Sequence, residues 1–312
     1  DYPFSIWPAN SIPDGKLFDW VNRLNNKKMY QFAKKTIKEI NFKNYLLLID
    51  NDIYRSFYAV EYLKPIFSIY YRRDNMTSAF WRKHAPRLEP RLCQKSNLVV
   101  ANSPQLAKAV QTYNQYSFDI GQGADLSNYN TNNSYQLPKD MENIPRPIIG
   151  YVGWVTSRRL DANLLYQVAL RCPQYSFVMV GGEDDFFKKH PLHSLSNVHF
   201  LGQKKQIETI SYMSHFDVCM NPQLVNEITI GNYPRKVDEY LALGKPVIAT
   251  KTLTMDLFTG YVWNCLGAEE YIQAINEALI PTSSDIIKKR IEFAHTHTWE
   301  NSINKLYSYI NI

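Results

Sequence analysis

The sequence predicts an α/β chain folded as two doubly wound parallel-sheet domains, and three observations carry that expectation. Short apolar runs alternate with amphipathic helical patterns from about residue 32 to the end, the order that lays helices on both faces of a parallel sheet. At 312 residues the chain exceeds the usual size of one compact core. Residues 129–147 are rich in Asn, Ser and Pro, lack periodicity and divide two strand–helix series, so they read as a linker.

In the first series a basic helical pattern over residues 32–40 leads into an apolar run at 45–50, a strand that ends in a loop of Asp50, Asn51 and Asp52. Residues 54–63 have helical spacing and 65–71 strand character, and Arg72, Arg73, Asp74 and Asn75 form a polar loop at that strand's C-terminal end. A helix over 85–95 and a strand over 97–102 follow. Ser103 suits an N-cap, with Pro104 in the first turn where a missing N–H costs nothing. In the second series strands are expected at 147–153, 175–182, 197–202, 218–222 and 246–250, with a helix over 161–171 after the first. The tail from 286 to 312 is helical by pattern, with Trp299, Ile303, Leu306 and Ile310 on one face. The expected domains are residues 1–145 and 146–291, followed by a terminal helix over 292–312.

Composition bounds the function classes. A hydrophobic share of 45% and a charged share of 21% are those of an ordinary globular protein, and no apolar run approaches the roughly 20 residues of a membrane span. Cys93, Cys172, Cys219 and Cys265 are scattered within apolar runs, which predicts buried free thiols rather than disulfides or a zinc site. The first residues hold no basic segment followed by an apolar run, so no signal peptide is expected, and with the free thiols a cytoplasmic location is the expectation. The net charge of +6, from 35 Lys and Arg against 29 Asp and Glu, favours acidic ligands or an anionic membrane face. No nucleic-acid motif accompanies it. The seven histidines lack a metal-binding frame.

Residues 233–250 are the most informative stretch. Pro234 suits a first helical turn, Val237, Tyr240, Leu241 and Leu243 give the helix an apolar face, Gly244 ends it, and 247–249 read as a strand buried on both faces. Free N–H groups at that helix start, the helix dipole, Arg235 and Lys236 together favour an anion such as a diphosphate. Glu239, one turn in, is placed to accept hydrogen bonds from vicinal hydroxyls such as those of a ribose.

Five stretches together resemble the GT-B glycosyltransferases, in particular family 4 and its bacterial subgroup that builds teichuronic acid, capsule and other exopolysaccharide chains. They are residues 147–153 with Arg158 and Asp161, residues 197–202, Phe216-Asp217-Val218, residues 233–250, and the segment from Arg290 to Trp299. The resemblance implies two Rossmann-like domains facing across a cleft, the nucleotide-sugar donor held by the second and a glycan or lipid-linked acceptor by the first, with the last helix returning to the first domain. Part of the first domain, its initial strand and Gly-rich loop, is not recognisable. The resemblance makes Glu239 the residue that binds the donor ribose and Arg158 with Lys236 the basic pair on the diphosphate. Gly153, Gly231, Asn232, Tyr233, Pro234 and Arg235 join them as donor-binding candidates. Gly231 stands where many relatives carry a second glutamate, and Glu227 lies further upstream, so the loop would offer backbone N–H groups instead. Fixed positive charge stabilises the leaving diphosphate, so no metal or cofactor is expected, and the resemblance implies a retaining transfer.

Asp74 follows a strand and precedes a helix; it is a helix cap or a catalytic, acceptor-side carboxylate. Tyr70, Tyr71, Trp81 and Trp154 lie beside strands, where aromatic residues are more often core than sugar platforms. The basic residues of the first domain are a solvated face or a docking surface for an anionic membrane on the inner side of the cell. Two other functions stay open on the residues: a GT-B nucleotide-sugar epimerase, and a non-catalytic nucleotide or anion-binding protein.

Overall fold

The computed structural model describes residues 7–8, 11–76, 79–131, 133–226, 228–230 and 232–310. The chain forms two compact units, Asp1–Gly121 with Ile303–Ile312, and Gln122–Ser302. The division falls before the Asn-rich stretch rather than after it, because Tyr129 and Met141 are buried in the core of the second unit.

The first unit runs α1 (Lys16–Glu39), β1 (Leu46–Asp50), α2 (Ala59–Leu63), β2 (Phe67–Arg72), α3 (Ala79–Arg82), α4 (Ala85–Lys95), β3 (Leu98–Ala101), α5 (Pro104–Val110) and β4 (Ser117–Asp119). Its four strands are parallel in the order β1-β2-β3-β4. One face packs Ile49, Tyr70 and Val99 under Phe18, Leu88 and Leu92. On the other, Ile69, Tyr71, Leu98 and Val100 pack with Leu306, Tyr309 and Ile310 from the chain end. The helical pattern at 32–40 proves to be the end of a much longer helix. Residues 54–58 are turns rather than helix, and the Asp52 carboxylate opens them by accepting the N–H groups of Tyr54 and Arg55 at 2.9 and 2.8 Å. Ser103 does cap α5, accepting the Leu106 N–H at 3.3 Å.

The second unit runs β5 (Ile148–Val152), α6 (Ala162–Arg171), β6 (Ser176–Val180), β7 (Val198–Phe200), α7 (Gln206–Ser214), β8 (Val218–Asn221), α8 (Arg235–Ala242), β9 (Val247–Thr250), β10 (Trp263–Cys265), α9 (Ala268–Ala278), α10 (Ser284–His295) and the start of α11 (Trp299–Ser308). All six strands are parallel in the order β10-β9-β8-β5-β6-β7. Strands β5, β6, β8 and β9 are buried at every position, as their mostly apolar runs require. Strand β10 escapes sequence reading because it is three residues long and two of them are only half-buried. The tail is two helices rather than one. The break at 296–298 turns His297 inward, its Nδ1 lying 2.8 Å from Asp238 Oδ1 while its carbonyl accepts the Ala124 N–H at 3.0 Å.

All four cysteines are buried and free. Among the described residues no helix is long and apolar enough to cross a membrane. In β5 a Cβ on Gly150 would overlap the fully buried Phe216 ring. Gly150→Ala is therefore expected to lower unfolding free energy by about 3 kcal/mol, the scale of an overpacked core. Urea denaturation checks this, and a loss below about 0.5 kcal/mol would show that the Phe216 ring yields.

Candidate functional site

In the second unit β6 and β8 flank β5, so the chain leaves the sheet in opposite directions on the two sides of that strand. Ligands of open parallel sheets bind outside the C-terminal strand ends at such a switch point. Three loops gather there. Gly153 N–H donates to Val180 O at 2.9 Å, Val155 N–H to Gly182 O at 2.9 Å, and Gly181 N–H to Gly202 O at 2.9 Å. Gly181 has φ 152°, and a Cβ there would overlap the Gly153 carbonyl oxygen, so the close approach of these loops depends on glycine. Asp184 ties the β5 loop to the β6 loop by accepting from Thr156 Oγ1, Ser157 N and Ser157 Oγ at 2.8 to 2.9 Å. Its partial burial opposes ionisation, but N–H groups of Phe187 and Ser157 and the two hydroxyls outweigh that and hold its pKa at about 2.

The β5 loop also meets the loop after β8. Asp161 N–H donates to Pro222 O at 3.0 Å, Leu224 N–H to Arg159 O at 2.8 Å, and Asn226 Nδ2 to Arg158 O at 3.0 Å. Arg158 is thereby fixed by its backbone while its side chain is exposed at this edge.

The loop after β8 delivers α8. Pro234 is the N-cap, one position ahead of the first helical residue. Val237, Tyr240 and Leu241 are fully buried, and Tyr240 accepts the Val152 N–H at 2.9 Å, which pins α8 to β5. Gly244, at φ 69°, follows the helix end in the left-handed conformation.

Pinned this way, α8 aims its first turn at the glycine-lined edge. The Lys236 ammonium lies so close to Gly153 that a Cβ there would sit 2.6 Å from Nζ. Glu239 lies one turn on, its side chain only 16% exposed and 3.3 Å from the Arg235 guanidinium. Burial raises the Glu239 pKa above the ordinary glutamate value of 4.5, and Arg235 and Lys236 oppose the rise. The Tyr129 hydroxyl is a second partner of that carboxylate. A carboxylate accepts about four hydrogen bonds, so capacity remains for a ligand's hydroxyls.

The structure thus brings Gly153, Arg158, Pro234, Arg235, Lys236 and Glu239 to one edge of one sheet. Asn232 and Tyr233 lie in the same loop. Asn232 Nδ2 donates to Ile228 O at 2.5 Å, and its Oδ1 is buried without a partner among the described residues. The side chain of Tyr233 turns inward to Asp238 rather than to the edge. Gly231 and Glu227 lie outside the described residues. Asp74 belongs to the first unit, exposed beyond the end of β2, where Asn51 Nδ2 donates to it at 3.4 Å. Asp50 pairs with Arg73 at 2.6 Å, and Asp52 caps the turn described above. Tyr70 and Tyr71 are core, Trp81 stacks on Tyr54 with centroids 5.3 Å apart, and Trp154 is 55% exposed beside Gly182.

Several residues of the site escaped sequence reading. Tyr151, Tyr129 and His297 meet α8 from distant segments, His297 at Asp238 on the helix itself, and no spacing announces them. Asn221, at the end of β8, is fully buried with both amide atoms unpartnered among the described residues. Unpaired buried polar atoms are uncommon in folded proteins, and Asn221 and Asn232 carry three of them on either side of the same loop.

Comparison with known proteins places this geometry. Residues 146–281 match the family model of the group 1 glycosyl transferases. The chain is 24% identical over 253 residues to the putative teichuronic acid biosynthesis glycosyltransferase TuaH of Bacillus subtilis, which covers 77% of this chain and 63% of that protein. The chain therefore spans less than two thirds of that relative's length. The fold is that of solved glycosyltransferases. Anabaena HepE in complex with UDP and glucose superposes with TM-score 0.67 at 18% identity, over 91% of this chain and 79% of that one. A glycosyltransferase of Rickettsia africae gives 0.68 at 17% identity, over 96% and 83%.

Proposed function

We infer that this chain, which carries a group 1 glycosyl transferase domain at residues 146–281 on the GT-B fold, is a glycosyltransferase that moves a sugar from a nucleoside diphosphate onto a glycan or lipid-linked acceptor in bacterial surface polysaccharide synthesis. One observation carries the reading: the Lys236 ammonium at the bare backbone of Gly153, with the Glu239 carboxylate one helical turn behind it. A diphosphate seated at Gly153 meets Lys236 and the start of α8, with Arg158 and Arg235 on the same edge. The nucleoside sugar then reaches Glu239. Breaking the anomeric C–O bond leaves negative charge on the departing diphosphate, and cations already in place stabilise that charge more in the transition state than in the bound donor. These side chains supply the charge that a divalent ion provides elsewhere, so the transfer is proposed to be metal-independent, and EDTA is expected to leave the rate unchanged. Retention of anomeric configuration is proposed on the family resemblance and is read by NMR of the first-formed product. Asp74 is proposed to contact the acceptor hydroxyl, and the basic first unit to face an anionic membrane.

The Anabaena protein binds UDP, so UDP is the first ligand to try. A thermal-shift panel of nucleoside diphosphates is expected to give a selective rise in Tm that shrinks in Glu239→Ala and Lys236→Ala. An undiminished rise in both variants would remove this site assignment.

The raised Glu239 pKa adds a pH signature. Its protonated form is favoured by the fold, so its contribution to stability is complete below 4.5 and is lost as pH rises through the raised folded value. Binding runs the other way, because the ionised group accepts at both oxygens, while protonation turns one of them into a donor. UDP affinity is expected to fall as pH drops through the raised Glu239 value, and Glu239→Gln to flatten that limb. Parallel pH profiles for the two proteins would show that another group titrates.

A further inference from the structure

We propose that Tyr151 is a positioning residue for Lys236, holding its ammonium against the donor diphosphate through a hydrogen-bond chain that runs from Lys236 through the Tyr151 hydroxyl to the Trp154 carbonyl. The inference rests on the donor-site reading above. Lys236 Nζ lies 2.6 Å from Tyr151 Oη and 4.1 Å from the centroid of the Tyr151 ring, while Tyr151 Oη lies 3.3 Å from Trp154 O. An ammonium only donates, so the tyrosine oxygen accepts at Lys236 and its own hydrogen is left for the Trp154 carbonyl. The direction of the chain follows from donor and acceptor counts alone.

Tyr151 is 2% exposed on β5, and its ring belongs to the core formed with α6 and α9, so the sheet sets where the hydroxyl sits. Lysine otherwise ends in a freely rotating point charge on a four-carbon stem. Here one of its three N–H groups is fixed, the ring face lies within cation–π range, and the other two N–H groups stay available to a ligand. Gly153 leaves the space: a Cβ there would lie 2.6 Å from Nζ and 2.9 Å from Tyr151 Oη. The chemistry of the clamp matters as well. A carboxylate would fix the ammonium equally well but neutralise it, whereas a phenol holds it and leaves its full charge for the phosphates.

The test is a calorimetric titration of UDP into wild type, Tyr151→Phe, Lys236→Ala and the double variant, each first shown folded by its melting curve. Phenylalanine keeps the ring volume, so core packing persists. Tyr151→Phe is expected to weaken UDP binding roughly tenfold, the usual scale for a hydrogen bond to a charged group. The same change in the Lys236→Ala background is expected to have no further effect. Wild-type UDP affinity in Tyr151→Phe, with weakened binding in Lys236→Ala, would overturn the positioning role and leave the donor site standing. Equal losses in both backgrounds would show that Tyr151 acts without Lys236, and also overturn it. Unchanged affinity in Lys236→Ala would overturn the donor site itself, and the inference with it. A measurement that leaves Tyr151 unaltered covers the case of a misfolded variant. One lysine ammonium 15N–1H signal is expected to survive solvent exchange in the UDP-free wild type and to vanish in Lys236→Ala; its absence from the wild type would show an unheld side chain and overturn the proposal.

Discussion

Lys236→Ala is expected to lower kcat/KM for sugar transfer by about 10²- to 10³-fold, the loss seen when one preorganised donor to a developing negative charge is removed. The charge is delivered at a fixed place, with Nζ anchored 2.6 Å from the Tyr151 oxygen and facing the backbone of Gly153. On the proposed reading, it costs no reorganisation when the diphosphate departs. Folding is expected to survive the change. The deleted atoms are only partly buried, and the Tyr151 hydroxyl keeps its Trp154 acceptor. Rates measured with UDP-sugars, beside urea denaturation of the same samples, separate the two effects. A fall of less than about threefold would mean that Lys236 does not face the leaving group.

Glu89→Ala should have the largest effect on stability, a loss of about 3 to 5 kcal/mol, the cost of stranding a buried charge. Arg72, at the end of β2, and Glu89, in the middle of α4, face each other with side chains 6% and 10% exposed and Nε 2.7 Å from Oε1. A second bond joins Nη2 to Oε2 at 3.3 Å, the Tyr70 hydroxyl donates to Oε1 at 3.0 Å, and Arg72 Nη1 reaches Leu106 O at 3.3 Å. Removing the carboxylate leaves the guanidinium with only the Leu106 carbonyl, and the Tyr70 hydroxyl without its acceptor, in a packed layer. Replacing both partners with apolar residues of similar volume, Arg72→Met with Glu89→Leu, should recover most of the loss, because no charge is then left behind. Urea denaturation of the three proteins checks this. A double variant as unstable as Glu89→Ala would show that the network contributes more than charge compensation.

Much of this fold was legible because its strands are buried on both faces. Strands β3, β5, β6, β8 and β9 are short, mostly apolar runs bounded on at least one side by Gly, Pro or Asn, and their length and those breakers select a buried strand over a helix. Where side-chain chemistry competed with propensity, pattern misled. Residues 54–58, held at Asp52, form turns despite their helical spacing, and the inward turn of His297 splits an apparently continuous tail. The unit boundary was missed for a related reason. Asn and Ser in the 129–147 stretch look like linker, while the two residues that decide its place, Tyr129 and Met141, are single apolar side chains without a period.

By itself the amino-acid order determined that a helix starts after Pro234, that it stops at Gly244 before a buried strand, and that its first turn carries Arg235, Lys236 and Glu239. Those features depend on backbone preferences and side-chain spacing within a few residues. Tertiary structure alone decided what the turn faces. The partners of Lys236 and Glu239 come from 85 residues away on β5 and from the segment around Tyr129, and only the register of six strands and the pinning of α8 by Tyr240 bring them within hydrogen-bonding range.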